Sequence, residues 1–582
     1  MSSPSVTSSN SDVTHLEPKL AMQGGEPTGA AKAETGEVAG DAEKGSSEHS
    51  PVPTKARQQG HEQRDEDGVM MENGVPVVRL KGPDDPLSPL NMSTARKWMI
   101  VTVVTSASFC VTCCSSMIAF TYPGVERDFH VGREVATLSL SLFVLSMGVV
   151  PIIIAPLSEW FGRSPVYFVG FALYIAFNGQ VAGANNIATL LLGRFFAGAG
   201  GAGFLSVAGG TVADLFRPHE VGAPMGFYTA GPFLGPVFGP VISGFINQHC
   251  DWRVTWYVLL GWAGVEFVAM LLLVPETYLP AVLKKKAKKL RKAGRTDVRA
   301  PNELDQRSIV KVIGISCIKP FELLAREPMA LVLCIWTALL LGILYMFFSA
   351  FAIVYEAHGF ETQYVGLSYL GLGIGIIIGA LCHPIWAGFY RRKREELGRR
   401  PPPEEHLRKG LYGVVICPAA LFWFAWTTQP SIHWIVSMLA TVPFGVGLLW
   451  SFQAVFLYLV DAFRPVAASA MAANSAMRSS FAGGALPSVP GSAGTLADPC
   501  LLPPFCCRSV SAVHRRGKFG LSSTLRTNML TLFAIQMFHR LGTQWALTLC
   551  AFLCLAMVPW PFLFYKMGHK YRKGSKFANT ED

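Results

Sequence analysis

Long apolar segments recur along this chain and constrain its fold more than any other feature. A helix needs about 20 apolar residues to cross the hydrocarbon core of a bilayer. Twelve runs of about that length can be marked, near residues 98–121, 136–156, 166–184, 187–209, 225–246, 255–274, 328–352, 365–387, 410–427, 433–460, 466–484 and 544–565. This recurrence predicts an all-α polytopic membrane protein with twelve transmembrane helices.

The composition supports this class and excludes others. Of the 582 residues, 51% are hydrophobic and 15% are charged, which is too apolar for an ordinary soluble chain. The net charge of +11 comes largely from short basic clusters between the apolar runs, so it indicates membrane orientation and not nucleic-acid binding. Most of the 13 cysteines lie inside apolar runs without metal-ligand spacing, and we interpret them as buried apolar residues. The sequence has no phosphate-binding loop or nucleophile elbow, so we expect neither an enzyme nor a cofactor.

Basic loops set the predicted orientation. They fall on one side of the predicted helices, at Arg96–Lys97, Arg163, Arg217, Lys284–Arg295, Arg391–Arg394 and Lys566–Lys576. Because cytoplasmic loops carry an excess of Lys and Arg, we expect this side and both termini to be cytoplasmic. The plasma membrane is the expected location.

The twelve runs divide six and six. Residues 1–95 are polar and nearly free of aromatic side chains, which predicts a disordered cytoplasmic tail. A first six-helix bundle over 96–275 is then followed by a Lys-rich cytoplasmic loop, 276–327. The second bundle is expected over 328–566 and a cytoplasmic tail over 567–582.

Two short sequence elements occur twice. "VADLFRPHEVG" begins at Val212 after the fourth run, and "LVDAFRPVAAS" begins at Leu459 in the tenth. "PLSEWFGRSP" follows the second run and is matched by "PIWAGFYRRK" after the eighth. Two matched pairs at equivalent places predict duplicated halves, an architecture that exposes a midplane site alternately to either side.

In these stretches the chain resembles a major facilitator superfamily transporter of the fungal twelve-span drug:proton antiporter group, from about Asp84 to the C-terminus. The resemblance is carried by "APLSEWFGRSPVY", "GRFFAGAGGAGFLSVAGGTVADLF", "GPFLGPVFGPVISGFI", "VPETYLPAVLKKKAKKLRK", "LFWFAWTTQPSIHWIV" and "AASAMAANSAMRSSFAGG". Each motif alone is modest, and together in this order they are specific to the family.

The charged residues after the second and fourth runs are predicted gating residues. Gly162 permits a tight reversal, and Glu159 can pair with Arg163 four residues later along a helical turn. Arg163 is placed to meet Asp214, and the resemblance implies a cytoplasmic latch between the two runs, with Arg217 beside it. The second half repeats the arrangement with Arg391, Asp461 and Arg464.

The fifth run carries the family's antiporter motif. It places glycine at four-residue spacing, each glycine followed by proline: Gly231, Pro232, Gly235, Pro236, Gly239 and Pro240. Glycines at this spacing clear one helix face for close approach, and the prolines let the helix bend. We expect this face to pack on a similar stripe in the eighth run, Gly371, Gly375 and Gly379.

Ionisable side chains inside apolar runs are costly and therefore predicted to be functional. By resemblance Arg194 acts in proton coupling. Glu266 is the carboxylate expected at mid-depth, and we predict that it is the protonated group. Arg478 interrupts the eleventh run and is expected to stabilise the second half or line the cavity. Aromatic residues predicted to line the substrate cavity are Tyr345, Phe348, Phe351, Trp450 and Phe452.

The expected function is proton-coupled export of small organic compounds, namely drugs, toxins or secondary metabolites, by alternating access. The expected partners are the substrate, protons and the lipid bilayer, with the protein monomeric. Proton-coupled transport of a polyamine or nutrient is the alternative among transporters.

Residues 485–530 depart from the family pattern. They contain prolines and charges but no run that could cross a bilayer. We interpret this segment as a retained intron or gene-model error, because joining 467–484 to 531–538 restores one span of ordinary length. A chain that retains it would be the inactive product of a mis-spliced gene. The alternative is an authentic external loop.

Overall fold

The computed structural model describes residues 68–72, 75–82, 84–217, 220–303, 309–483, 530–573, 575 and 577. Within them the chain is helical apart from one small hairpin. The segment 485–530 lies outside the described residues except for its last position, and so does 1–67 of the predicted tail.

The first half of the helical region begins at Thr94. Its helices are α1 (Thr94–Met117), α2 (Tyr122–Phe129), α3 (Arg133–Val149), α4 (Pro151–Phe161), α5 (Arg163–Ala182), α6 (Ile187–Gly201), α7 (Gly203–Ser206), α8 (Ala208–Leu215), α9 (Gly222–His249) and α10 (Trp252–Leu273). Two helices connect the halves, α11 (Leu279–Lys292) and α12 (Ile309–Arg326).

The second half begins at Pro328. Its helices are α13 (Pro328–Ala357), α14 (Thr362–Ser368), α15 (Leu370–Leu381), α16 (His383–Leu397), α17 (Leu407–Trp426), α18 (Trp434–Ala462), α19 (Ala467–Gly483), α20 (Leu530–Met557) and α21 (Pro559–Lys573). α20 is broken at Gly542, where the backbone leaves the helical region.

Ten helical segments among the described residues are long and apolar enough to cross a membrane. The count becomes 11 if α3 and α4, which are bent by 43° at their junction, form one span. The sequence predicts twelve. The predicted run that is not counted is α19, because it has 17 residues and a helix needs at least 18 to be counted as a span.

The two halves repeat the same set of helix neighbours. In the first half α1 packs on α9, α3 on α6, α5 on α6 and α5 on α10. In the second half α13 packs on α19, α15 on α18, α17 on α18 and α17 on α20. Each pair in one half has its counterpart in the other, which agrees with the duplicated motifs.

The halves meet along two seams. α3 packs on α19, and α9 packs on α14 and α15. Near one end of the second seam, a Cβ atom added to Gly366 of α14 would lie 2.6 Å from the carbonyl oxygen of Pro240 in α9. Near the other end, a Cβ atom added to Gly226 of α9 would lie 3.3 Å from the His383 ring. Contacts therefore exist on both sides of the helical layer.

The glycine stripes pack differently from the sequence prediction. Cβ atoms added at Gly231 and Gly235 would overlap Thr105 and Thr112 of α1, so this stripe lets α9 approach α1 and not α15. Gly375 lies against the backbone of α18. The predicted pairing of α9 with α15 across the halves is present, but it does not run through the two stripes, because each stripe closes a helix pair inside its own half. α9 and α15 meet through other faces, for example Gly373 on Val237.

Large apolar side chains are exposed on the outer helices. Leu272 of α10 is 77% exposed and Leu381 of α15 is 72% exposed. In water such a surface would drive aggregation, whereas hydrocarbon solvates it without cost. By contrast, α13 and α1 are the most buried of the candidate spans.

A small hairpin covers one end of the helices and packs on the Lys-rich helix α11. We call this end of the molecule the basic side. Strands β1 (Val69–Glu72) and β2 (Val75–Val78) pair antiparallel, and Val77 bridges to Arg299. Val69 and Val78 are buried in one cluster with Leu283 of α11. The prediction of disorder as far as residue 95 is therefore wrong over this hairpin. Its apolar valines have a partner in the chain that follows α10, which composition alone does not reveal.

Ion pairs fasten other parts of the basic side. Arg291 of α11 binds Glu303 at 2.8 Å, and this hydrogen bond lowers the pKa of the Glu303 carboxyl. Arg572 of α21 binds Glu404 at 2.8 Å, and both side chains are buried. The 276–327 connection, expected to be a loop, is mostly helical.

Candidate functional site

Gly162 separates α4 from α5 and sets the geometry of the first charged cluster. Its φ of 102° is a conformation that side chains rarely adopt, and an added Cβ would overlap the Glu276 carboxylate. The chain therefore turns at this residue, and a new helix begins at Arg163.

Glu276 binds the start of that new helix. Its Oε1 accepts from the backbone N–H of Arg163 at 2.9 Å, and its Oε2 accepts from that of Ser164 at 3.3 Å. Backbone N–H groups at a helix N-terminus lack partners within the helix, and a carboxylate satisfies them and complements the helix dipole. Glu276 is not among the residues predicted from the sequence, although it lies in the quoted "VPETYLP".

The Arg163 side chain holds three other elements together. Its Nε donates to Asp214 Oδ2 at 3.1 Å, and its Nη1 donates to Ser158 Oγ at 2.7 Å. Its guanidinium also lies over the Tyr278 ring, 4.8 Å from the centroid. Arg163 thus joins the end of α4, the end of α8 and the segment after α10.

Glu159 lies near this cluster, where burial raises the pKa of Tyr278 and the Glu159 charge raises it further, but Glu159 does not pair with Arg163. It is exposed, and in the described part of the chain it forms no ion pair with Arg163. The predicted pairing required both residues on one helix, and the break at Gly162 places them on two. Arg217 is likewise exposed beyond α8, and its side chain has no ion pair among the described residues.

The second half builds its cluster from other residues. Asp461 is buried and binds Arg464 at 2.7 Å and Arg400 at 2.9 Å, with His406 Nε2 3.3 Å away. The predicted partner, Arg391, is exposed in the middle of the unbroken helix α16. The prediction is wrong because Tyr390, and not a glycine with positive φ, stands directly before Arg391, so α16 continues through this position without a break.

Arg194 is fully buried on α6, and its guanidinium donates hydrogen bonds to other helices. Its Nη2 donates to the Cys114 carbonyl at 3.2 Å and its Nε to the Ser139 carbonyl at 3.3 Å. Phe143 and Trp256 face the guanidinium at 4.2 Å and 5.0 Å. Arg194 therefore ties α6 to α1, α3 and α10.

Glu266 is buried on α10 against α1. Its Oε1 accepts hydrogen bonds from Ser106 Oγ and, at 3.2 Å, from Trp262 Nε1. α10 packs on α1, α5 and α9, so Glu266 lies inside the first half and away from both seams. The structure does not bring it to Arg194, but both side chains bind α1.

The predicted cavity aromatics separate into two groups. Tyr345 lies 3.1 Å from Ser115 of the first half, Phe348 packs on it at 5.3 Å, and Phe452 meets Phe233 of α9 at 4.7 Å. Tyr345 and Phe452 therefore lie between the halves, and Phe348 packs directly behind Tyr345. Phe351 packs on Tyr369, whose ring also contacts Phe120 of the first half, and Trp450 packs on Trp386 within the second half.

Arg478 of α19 lies beside the first of these groups. Its guanidinium faces Phe452 and Phe456 at 5.7 Å and 5.6 Å. Its Nε is buried and has no hydrogen bond in the described part of the chain.

A buried lysine that was not predicted from the sequence also lies in the second half. Lys409 of α17 donates to Gln453 Oε1 at 2.6 Å. It follows a basic loop and precedes an apolar run, so the sequence makes it look like an ordinary flanking charge. No group of three or more His, Cys, Asp or Glu side chains in the described residues could hold a metal ion.

Comparison with known proteins identifies the type of molecule. The family model of the Major Facilitator Superfamily matches residues 104–487. The chain is 40% identical over 514 residues to "Efflux pump atB" of Aspergillus terreus, covering 87% of this chain and 90% of that protein. It is 37% identical over 504 residues to "Major facilitator superfamily multidrug transporter mdrA" of Aspergillus fumigatus, covering 86% and 75%.

A solved structure has the same fold. The crystal structure of the human organic anion transporter MFSD10 (TETRAN) aligns with a TM-score of 0.51 over 80% of this chain and 99% of that one. At 15% sequence identity the likeness concerns the fold alone.

Proposed function

The chain belongs to the major facilitator superfamily, and from that premise we propose that it exports small organic compounds from the cytoplasm in exchange for protons. It is a multi-pass membrane transporter and not an enzyme. Relatives named as an efflux pump and a multidrug transporter support the direction of transport. The basic side would face the cytoplasm of a plasma-membrane protein, since cytoplasmic loops are rich in Lys and Arg.

The observation that carries the mechanism is the Arg163 cluster at the end of α4. α4 packs on the connecting helix α12 and on α19 of the second half. By holding the last turn of α4 to α8 and to Glu276, the cluster fixes the surface that the first half presents to the second. Opening of the basic side would separate α4 from α12 and α19, and the Arg163–Asp214 bond, which lies within the first half, would hold α4 in position for that contact.

Proton coupling would act through α1. Glu266 binds Ser106 of α1, and Arg194 binds Cys114 two turns further along the same helix. Protonation of Glu266 would remove the negative charge that accepts from Ser106 and Trp262, and the position of α1 would then depend on that protonation. α1 also contacts the second half through Ser115 and Tyr345.

Transport into proteoliposomes tests direction and coupling together. With an acidic lumen, we expect an exporter to accumulate a labelled neutral aromatic compound such as 2-naphthamide, and a protonophore to stop the accumulation. A proton-coupled uptake system for a nutrient or polyamine would give the opposite result, because an acidic lumen would then drive substrate out. No difference from protein-free liposomes across a panel of neutral, anionic and cationic aromatic compounds would contradict the proposal.

Glu266→Gln should uncouple transport from protons. The amide keeps the size of the side chain and has no titratable charge, so we expect counterflow of substrate at near wild-type rate and loss of accumulation under a pH gradient. The matched control is Glu356→Gln, which changes an exposed carboxylate. If Glu266→Gln retains the wild-type pH dependence, Glu266 has only a structural role.

A further inference from the structure

Arg478 is a half-buried cation between the two halves. It lies on α19, which packs on α3 of the first half and on α13 of its own. The phenols of Tyr228 and Tyr345 are the titratable groups closest to it electrostatically, together with the Cys334 thiol. Tyr228 belongs to α9, so both halves contribute to these surroundings.

No carboxylate among the described residues pairs with this charge. Arg478 forms no ion pair and no hydrogen bond with any described residue, and its Nε is buried. Arg194, inside the first half, has three hydrogen bonds to the protein. A partly desolvated cation is stabilised by a counter-ion or by hydrogen bonds, and the Arg478 guanidinium has neither among the described residues, so its donors are available to a ligand.

The surroundings of Arg478 restrict what could bind there. Phe452 and Phe456 lie across the guanidinium, so its planar N–H edge is the part left to donate. That edge matches a carboxylate with two parallel hydrogen bonds. Phe233 of the opposite half packs on Phe452 at 4.7 Å and continues the wall as an apolar, aromatic surface.

A second unpartnered atom lies one turn earlier on α19. Asn474 Nδ2 donates to Thr337 at 2.8 Å, whereas its buried Oδ1 has no partner among the described residues. Asn474 also contacts Cys334, which places it near Arg478. An acceptor beside an unpaired cation suits a ligand that carries a hydroxyl group near its acid group.

We propose that Arg478 binds the acidic group of the exported compound and that the substrates are aromatic organic anions, typically hydroxylated aromatic carboxylates. The aromatic ring would pack on Phe452 and Phe233, while the carboxylate accepts from the guanidinium. This inference rests on the proposed export function and adds the charge class of the cargo. Arg478 is then a substrate-binding residue and does more than stabilise the second half.

Binding of two ligands of the same shape tests the proposal. The full-length protein in lipid nanodiscs is titrated with 2-naphthoate, an anion at neutral pH, and with the neutral 2-naphthamide, and bound ligand is measured. We expect naphthoate to bind more tightly, and Arg478→Gln to weaken it about 10- to 100-fold, the range for a lost hydrogen bond to a charged group. Naphthamide affinity should change less than about 3-fold, and Arg478→Lys should restore part of the naphthoate affinity.

The matched control is Arg540→Gln, which removes an exposed arginine and should leave both affinities unchanged. If Arg478→Gln does not fold, Phe452→Leu keeps the charge and should weaken both ligands by a similar factor. Equal wild-type affinity for the two ligands, or unchanged naphthoate binding in Arg478→Gln, would overturn the proposal. Pumping of naphthamide under a pH gradient in that case would leave the export function intact, so the two failures are distinguishable.

Discussion

Replacing Asp214 by Asn should reduce transport about 5-fold or more while leaving the protein folded in the membrane. The amide keeps the shape of the side chain and removes the charge that Arg163 Nε contacts at 3.1 Å. Both side chains are partly exposed, so the loss of folding free energy should be only about 1 kcal/mol. A change of about 1 kcal/mol in the free-energy difference between the open and closed states changes their ratio about 5-fold. In addition, the end of α4 is no longer held by Arg163 and does not present a fixed surface to the second half.

The measurement is substrate flux in proteoliposomes, normalised to the amount of protein reconstituted. Asp297→Asn is the matched control, because Asp297 is an exposed aspartate on the same side. Normal flux in Asp214→Asn would remove the Arg163–Asp214 contact from the transport cycle. If Glu159→Gln were inactive instead, the sequence-based pairing of Glu159 with Arg163 would be right and the break at Gly162 would not separate them.

Replacing Gly235 by Val should destabilise the first half more than the loss of the Arg163–Asp214 contact does. The first added carbon would overlap the Thr112 side chain and lie 2.8 Å from the Cys113 backbone nitrogen. Backbone cannot rotate away as a side-chain end can, so α9 and α1 must separate. Overpacking of this kind costs about 1–3 kcal/mol, a large fraction of a typical folding free energy.

Thermal unfolding of detergent-solubilised protein, followed by size-exclusion chromatography, measures this effect. We expect a lower midpoint and a smaller yield of monodisperse protein for Gly235→Val. Gly264→Val is the control, because Gly264 also lies inside a membrane helix but has no atom within 4 Å of an added Cβ. Equal midpoints for the two variants would show that the stripe does not set the approach of α1 and α9.

The elements of the fold follow from the sequence because hydrocarbon imposes a simple rule. Every apolar run long enough to cross a bilayer must be a helix, so the helices lie near the positions that the runs predict. The repeated motifs add the duplication, which the matched helix neighbours of the two halves reproduce. The pairing of faces does not follow, since a glycine stripe shows that something approaches closely but not which helix does. For that reason the stripe that contains Gly235 is predicted to face α15 and lies on α1 instead.

Some contacts of the charged clusters also follow from the sequence, and others do not. Arg163 and Asp214 are adjacent as their positions after the second and fourth runs predict, because both run ends reach the basic side. The partners of Asp461 could not be predicted from the repeat, because a local difference, glycine before Arg163 and tyrosine before Arg391, redirects the chain. Glu276 could not be predicted either, because its contact with a helix N-terminus more than 110 residues earlier has no local pattern.

The glycine stripes also determine which motions the molecule has available. α9 packs on α1, and α15 packs on α18, with backbone against backbone. The two helices of each pair therefore cannot slide or rotate against each other. The remaining degrees of freedom belong to the two seams, α3 with α19 and α9 with α14, where one half can pivot on the other. The protein is thus a two-body hinge whose bodies are made stiff by residues that lack side chains, and one such residue, Gly366, also brings α14 against the Pro240 carbonyl of α9 at the seam where the bodies pivot.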